Sequence, residues 1–189
     1  MADDRWLIAG LGNPGPQHAG NRHNVGFMVA DLLAERLGAR FKRDRSRADV
    51  ATGLLAGTPV ILAKPLSFMN LSGGSVAALR GFYKLPADRI LAIHDELDLD
   101  FGSVRVKTGG GENGHNGLRS VSSSLGTKGY HRLRIGIGRP PGRMDPAAFV
   151  LRDFSSSEKG QLPELLDRAA DMAEALVSHG LAATQNQFH

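Results

Sequence analysis

The chain has 189 residues, 41% of them hydrophobic and 22% charged, with 24 glycines, 6% aromatics and a net charge of +4. These values fit one soluble globular domain over residues 1–189 and exclude a disordered chain, a coiled coil and a collagen-like repeat. Cysteine is absent, which removes disulfides, thiolate metal sites, CxxC redox chemistry and a cysteine nucleophile together.

In chain order, Met1 to Arg5 carries two acids before its first base, and the apolar run Trp6 to Leu11 is too short for a secretion leader or a membrane span. A cytoplasmic location is expected. Arg5 to Leu11 reads as a buried strand. Val25, Met28, Val29, Leu32, Leu33 and Leu37 repeat at helical spacing, and Gly38 stops that helix. Asp49–Leu55 and Pro59–Ala63 read as a hairpin about Ala56-Gly57-Thr58. A helix follows Ser72 with Val76, Leu79, Phe82 and Tyr83 on its apolar face. Arg89–His94 is the next strand, ahead of an acidic stretch, and Ser103–Lys107 alternates like a half-exposed strand. Thr108–Gly117 is a loop with five glycines in its last nine residues, then come a short helix over Leu118–Leu125 and a strand over His131–Ile137. Ser155 and Glu158 form a capping box ahead of a stripe from Leu162 to Val177. Strands interleaved with helices imply an α/β fold, and the hairpin makes the sheet mixed.

Charge is unevenly spread. Residues 102–144 hold eight bases against the single acid Glu112, and residues 40–47 hold five bases against Asp44. Such clusters suit a polyanionic partner.

Five segments could carry chemistry. Gly10-Leu11-Gly12-Asn13-Pro14-Gly15 matches GxGxxG after a strand, but Pro14, Pro16 and Gly20 interrupt the helix that a dinucleotide site needs. The acids about 20 residues on, Asp31 and Glu35, fall inside a helix rather than at a strand end. A nucleotide-dependent oxidoreductase is therefore a poor reading, and the loop is either a tight glycine turn or a mount for Asn13. His23, in Asn21-Arg22-His23-Asn24, has a side chain suited to a general base, or to a cap. Asp95, in His94-Asp95-Glu96-Leu97-Asp98, stands where α/β sheets collect active groups and could orient an imidazole, or could belong to a plain acidic loop. Asn70, in Ser67–Gly74, could bind a carbonyl or ribose hydroxyl, and Asn70 or Ser72 could instead cap a helix. The loop Gly109–Gly117 lacks the GK[ST] ending of a phosphate-binding loop. GxSxG and HExxH are absent, and the seven histidines show no metal-ligand spacing. What remains is hydrolysis by an activated water, with histidine as base and amides as donors.

Taken together, GLGNPG at 10–15, RHNVGF at 22–27, KPLSFMNLSG at 64–73, HDELDL at 94–99, GGGENGHNGLRS at 109–120 and HRLRIGIGRP at 131–140 resemble bacterial peptidyl-tRNA hydrolases, in the family's order. The resemblance covers about residues 5–154. It implies a single α/β domain with a twisted mixed sheet flanked by helices, and an enzyme that cleaves the ester between a peptide and the terminal adenosine ribose of tRNA. It further implies a monomer in the cytoplasm with no cofactor, no metal, no membrane attachment and no obligate protein partner. By position it makes His23 the base and Asp95 its orienting acid, and Asn13 a selector of peptidyl ends. It makes Asn70 and Asn116 contacts to the 3′ CCA end or the peptide backbone. Phe68 would line the site with His115 near it, and Arg105 and Arg134 would hold acceptor-stem phosphates. The chain departs from the family at His18, where Tyr is usual, and at Asn21, where Thr is common. His18 carries over as an RNA contact. Relatives of this fold that bind RNA without hydrolysis supply the alternative function, a noncatalytic RNA-binding module.

Overall fold

A computed structural model describes residues 4–189. Met1–Asp3, part of the N-terminal stretch read above for a leader, lie outside the described residues. The strands are β1 (Trp6–Gly10), β2 (Lys42–Arg43), β3 (Ala48–Leu55), β4 (Thr58–Pro65), β5 (Ile90–Glu96), β6 (Val104–Thr108) and β7 (His131–Gly136). The helices are α1 (Val25–Leu37), α2 (Ser72–Tyr83), α3 (Asn116–Leu125), α4 (Pro146–Val150), α5 (Ser156–His179) and α6 (Leu181–Phe188).

All seven strands join one sheet in the order β2-β3-β4-β1-β5-β7-β6. The four central strands are parallel, and β3 and β6 run antiparallel to their neighbours at either side. The central strands are apolar on both faces because helices cover both. Along β1, Trp6 and Ile8 point into a core shared with α1 and α5. Leu7 and Ala9 point into a second core with α2 and α3. The expected α/β domain with a mixed sheet flanked by helices is therefore found. No helix among the described residues is long and apolar enough to cross a membrane.

The β3–β4 hairpin turns on Ala56 and Gly57, both at positive φ (49° and 82°), which suits a two-residue turn between twisted strands. The glycines that open the GxGxxG stretch have a different purpose from turning the chain. Gly10 and Gly12 do not have positive φ; only Gly15 of this motif does, at 104°. A Cβ on Gly10 would stand 2.3 Å from the Gly26 carbonyl oxygen, and one on Gly26 would stand 2.3 Å from that of Ile93 and 2.6 Å from that of Leu11. α1 thus lies against β1 and β5 at a separation that only hydrogen allows. Instead of a helix N-terminus, the motif is followed by a single tight turn at Pro16–His18.

Several expectations shift. β5 continues two residues past His94, so Asp95 and Glu96 are ladder residues opposite Ile135 and Gly136, not loop residues. Phe82 leaves the apolar face of α2 and is 79% exposed, while Leu85 beyond the helix is buried in its core. Neither Asn70 nor Ser72 caps α2 by its side chain; the Ser72 hydroxyl donates to the Met69 carbonyl at 2.7 Å. The capping box at Ser155 and Glu158 is present in both its hydrogen bonds. β2, α4 and α6 are too short to show a period.

Gly26→Ala tests the close approach of α1. The clash is with backbone, which cannot swing away, so the variant should be destabilised by at least about 1–3 kcal/mol, read as a lowered midpoint in urea unfolding.

Candidate active site

The loops after β1 and β4 and the end of β5 open at the carboxyl end of the parallel strands, the usual place for a site in an α/β sheet. They wall a cleft of about 370 Å³ together with the glycine-rich loop and α4. Asp95 lies at its floor, 4% exposed. Its carboxylate accepts from His23 Nδ1 at 2.9 and 3.0 Å and from His115 Nε2 at 2.8 Å.

These contacts determine both tautomers. His115 caps α3 by accepting the Leu118 N–H at its Nδ1 (3.2 Å), so its proton is on Nε2 and points at Asp95. His23 donates Nδ1–H to Asp95, which leaves Nε2 as a bare lone pair with no partner among the described residues. Burial alone would push the Asp95 carboxyl up, but the nearby His23 and then His115 outweigh it and hold the group well below the ordinary carboxylate range. For His23, burial acts to lower the pKa, and the charge and hydrogen bond of Asp95 more than reverse it, so the imidazole is more basic than a free one. Beneath them lies His94, 1% exposed, edge-on to His115 with centroids 5.1 Å apart. Burial, and then His115, depress its pKa to about 3, so it is neutral. It donates Nδ1–H to the Asp95 carbonyl at 2.8 Å.

Asn13 is held on three sides. Asn24 accepts its N–H and donates to its carbonyl, each at 2.9 Å, and its Oδ1 accepts the Met69 N–H at 2.7 Å. The side-chain NH2, on the cleft wall, has no partner among the described residues. Asn70 and Asn116 also line the cleft, both exposed, Asn116 at the first turn of α3. Phe68 forms an apolar wall at 62% exposure.

The cleft therefore gathers seven of the residues singled out from sequence: Asn13, His23, Phe68, Asn70, Asp95, His115 and Asn116. Three stand outside it. His18 contacts Asn21 Oδ1 through Nδ1 at 3.1 Å and does not line the cleft. Arg105 and Arg134 face each other in register across β6 and β7, beside the pair Lys107 and Arg132. Arg105 is exposed, but Arg134 is tied through Nε to Glu96 at 3.2 Å. Arg132 is wholly buried, donating to the carbonyls of Gly111 (2.6 Å) and Lys128 (3.2 Å), and thereby pins the glycine-rich loop.

Sequence reasoning passed over several parts. Glu96 accepts from Asn113 Nδ2 (3.0 Å), Arg134 and the Asp98 N–H (3.2 Å), so it anchors the loop that carries His115. Asn24 sets Asn13. Pro146, Ala147, Val150 and Leu151 close one side of the cleft. An Asp-Pro start, with Asp145 accepting the Ala147 N–H, was the available sign of α4. Arg22 fastens that side: it donates to Glu158 at 2.8 Å and lies 4.0 Å from the centroid of the Phe149 ring.

His23, Asp95 and His115 also offer ligand atoms within 4.8 Å of one another, the kind of cluster that can hold a metal ion. Spacing along the chain had shown no such set. In this arrangement both ring nitrogens that meet Asp95 carry the protons it accepts, and the second nitrogen of His115 is engaged by Leu118. A cation would have to displace this network, so the fit is poor.

The model of the peptidyl-tRNA hydrolase family matches residues 7–189. The chain belongs to the peptidyl-tRNA hydrolase family. It is 66% identical to the peptidyl-tRNA hydrolase of Frankia casuarinae over 99% of this chain and 95% of that protein. It is 62% identical to that of Streptomyces coelicolor over 97% and 94%. Among solved structures, peptidyl-tRNA hydrolase from Acinetobacter baumannii superposes with a TM-score of 0.92 at 38% identity, covering 100% of this chain and 96% of that one.

Asp95→Asn tests the electrostatics of the site. His23 should titrate above about 6.5, its ordinary value, in the unaltered protein. Removing the charge that raises it should move the midpoint down, as followed by ring-proton NMR; an unmoved midpoint would mean that Asp95 does not tune His23.

Proposed function

We propose that the chain hydrolyses the ester joining a peptide to the terminal ribose of tRNA, the activity of its family, with His23 as general base. Water bound at His23 Nε2 loses a proton to that nitrogen as its oxygen attacks the ester carbonyl. The tetrahedral centre then collapses, the bond from carbon to the ribose oxygen breaks, and the His23 proton passes to that oxygen. The products are a peptide with a free carboxyl group and a reusable tRNA. Asp95 holds the ring in the required tautomer and favours the imidazolium formed in the transition state. The observation that carries the reading is a single one. The imidazole has its Nδ1–H locked on a buried carboxylate and its Nε2 free, in a cleft that also presents the amides of Asn13, Asn70 and Asn116.

The amides give the carbonyl oxygen and the peptide backbone donors that do not ionise. Asn13, its orientation fixed by Asn24 and Met69, would read a peptide bond on the substrate and so distinguish peptidyl from aminoacyl ends. Arg105 and the bases around it would take acceptor-stem phosphates, contacts that ignore base identity and suit an enzyme acting on every tRNA. The protein would act as a cytoplasmic monomer without a cofactor. A noncatalytic RNA-binding role is disfavoured, because a module that only binds has no use for a tautomer-locked base.

His23→Ala should lower kcat by about 10²–10⁴-fold and leave the affinity for uncleaved substrate nearly unchanged, since general-base catalysis has that magnitude and affinity comes mainly from phosphates. Wild-type turnover in this variant would remove His23 from the mechanism.

The two arginines should separate kinetically. Arg105→Ala should raise KM for whole peptidyl-tRNA, leave kcat alone, and reduce the salt slope of binding by about 1. Arg134→Ala also frees Glu96 and Asn113, so kcat should fall as well, including on a short substrate that carries only the esterified 3′ adenosine. Equal losses for both variants on the short substrate would exclude Arg105 as a pure phosphate contact.

A further inference from the structure

The bases at 40–47 have no part in the cleft. Arg40, Lys42, Arg43, Arg45 and Arg47 are all exposed, on β2 and the turns on either side of it, at the edge of the sheet opposite β6. Arg43 pairs with Asp49 at 3.3 Å. Hydrogen bonds from Ser46, and then nearby Arg45, hold the Asp44 carboxyl below the ordinary range, and none of Arg40, Lys42, Arg45 and Arg47 forms an ion pair within 4 Å among the described residues. The turn into β3 is firmly held. The Asp44 carboxylate accepts the Ser46 N–H at 2.9 Å, and the Arg47 carbonyl accepts from both the Leu66 N–H (2.9 Å) and the Ser75 hydroxyl (3.2 Å). Arg47 itself is at φ 64°, a conformation a non-glycine residue adopts only where its surroundings impose it. The charges are therefore displayed on a fixed turn.

The second observation is Phe82. Its helical spacing belongs with the core, yet the ring is 79% exposed. It lines a cavity of about 410 Å³ with Arg45, Asp44, Ser46, Ala78 and Leu79. An unburied aromatic ring beside an exposed guanidinium on a basic turn is the chemistry of single-stranded nucleic acid binding: a nucleotide base stacks on the ring and phosphates meet the arginines and lysine. A membrane would need a broader apolar face, and an acidic peptide has no use for a stacking surface. The turn is also tied to the cleft wall: the Arg47 carbonyl accepts the N–H of Leu66, which leads into Phe68–Asn70, while Phe82 lies ten residues beyond Ser72, about 15 Å along α2.

We propose that Arg45 and Phe82, flanked by Lys42 and Arg43, form a second RNA-binding surface that takes unpaired nucleotides. It extends the tRNA reading above, and its test is separate from that reading. Fluorescence anisotropy would follow a labelled twelve-residue oligouridylate and deacylated tRNA with the full chain and with Phe82→Ser and Arg45→Glu. Both substituted positions are exposed, so folding should survive. Phe82→Ser should weaken oligouridylate binding by about tenfold or more. Arg45→Glu should weaken it and flatten its salt dependence. Turnover of a short ester carrying only the 3′ adenosine should be unchanged in both variants, and failure of the unaltered protein on that ester would count against the catalytic reading alone. A raised KM for whole peptidyl-tRNA in the variants assigns the surface to the substrate's own RNA. Lost oligouridylate binding at unchanged KM assigns it to a second RNA. Unaltered affinity for both probes in both variants overturns the proposal.

Discussion

A carboxylate buried at the end of a parallel strand and shared by two imidazoles is the interaction on which this molecule depends. Asp95 could not be ionised at 4% exposure without strong donors, and it has three contacts from two rings. Removing one partner of such a buried pair costs about 3–5 kcal/mol, because the charge then lacks compensation. The same bonds decide which nitrogen of His23 is left free. Stability and proton placement are thus one arrangement, and the fold must bring three distant segments together to build it: the loop after β1, the end of β5 and the start of α3.

Each of those segments is held from behind. His115 is fixed because its second nitrogen caps α3, so a helix start serves to orient a ring. The loop before it is held by Glu96 through Asn113 and by Arg132 through Gly111. Asp95 accepts from the two imidazoles, and Glu96, next to it, accepts from Asn113 and Arg134. One strand end therefore supplies both the charge in the cleft and the brace for the loop that crosses it. Arg134 belongs to that brace as much as to any RNA contact, which distinguishes it from its register partner Arg105.

The long helices are legible because one-sided burial imposes a period on them, and the central strands because burial on both faces makes them short continuous apolar runs. The stripe from Leu162 to Val177 and the runs at Trp6–Gly10 and Ile90–His94 leave no other reading. The strand read over Arg89–His94 stops two residues short, because Asp95 and Glu96 have low strand preference, which the ladder to β7 and the donors around both carboxylates override. Phe82 was assigned to a core by spacing, whereas spacing tells which direction a side chain leaves a helix and not whether anything covers it. Seven residues of the cleft were legible as chemistry and by resemblance. Asn24, Glu96 and Asn113 were not, since a residue that acts by holding another has no signature until the partner's position is known.

The segment Asn21–Asn24 shows how much one short turn can organise. In a 3₁₀ turn successive side chains leave about 120° apart, so Arg22, His23 and Asn24 face three different parts of the protein, with the extended Asn21 just ahead of them. Asn21 donates to Asp153, Arg22 to Glu158, His23 to Asp95, and Asn24 to the carbonyl of Asn13. His23 thus sits between a residue that ties the loop to the start of α5 and one that sets the neighbouring amide. Glu158 Oε1 accepts from both Arg22 and the Ser155 N–H, so the capping box of α5 and the anchorage of the His23 turn share one oxygen. Among the described residues α5 contributes none to the cleft wall, yet through that oxygen its first turn helps determine where the His23 imidazole stands.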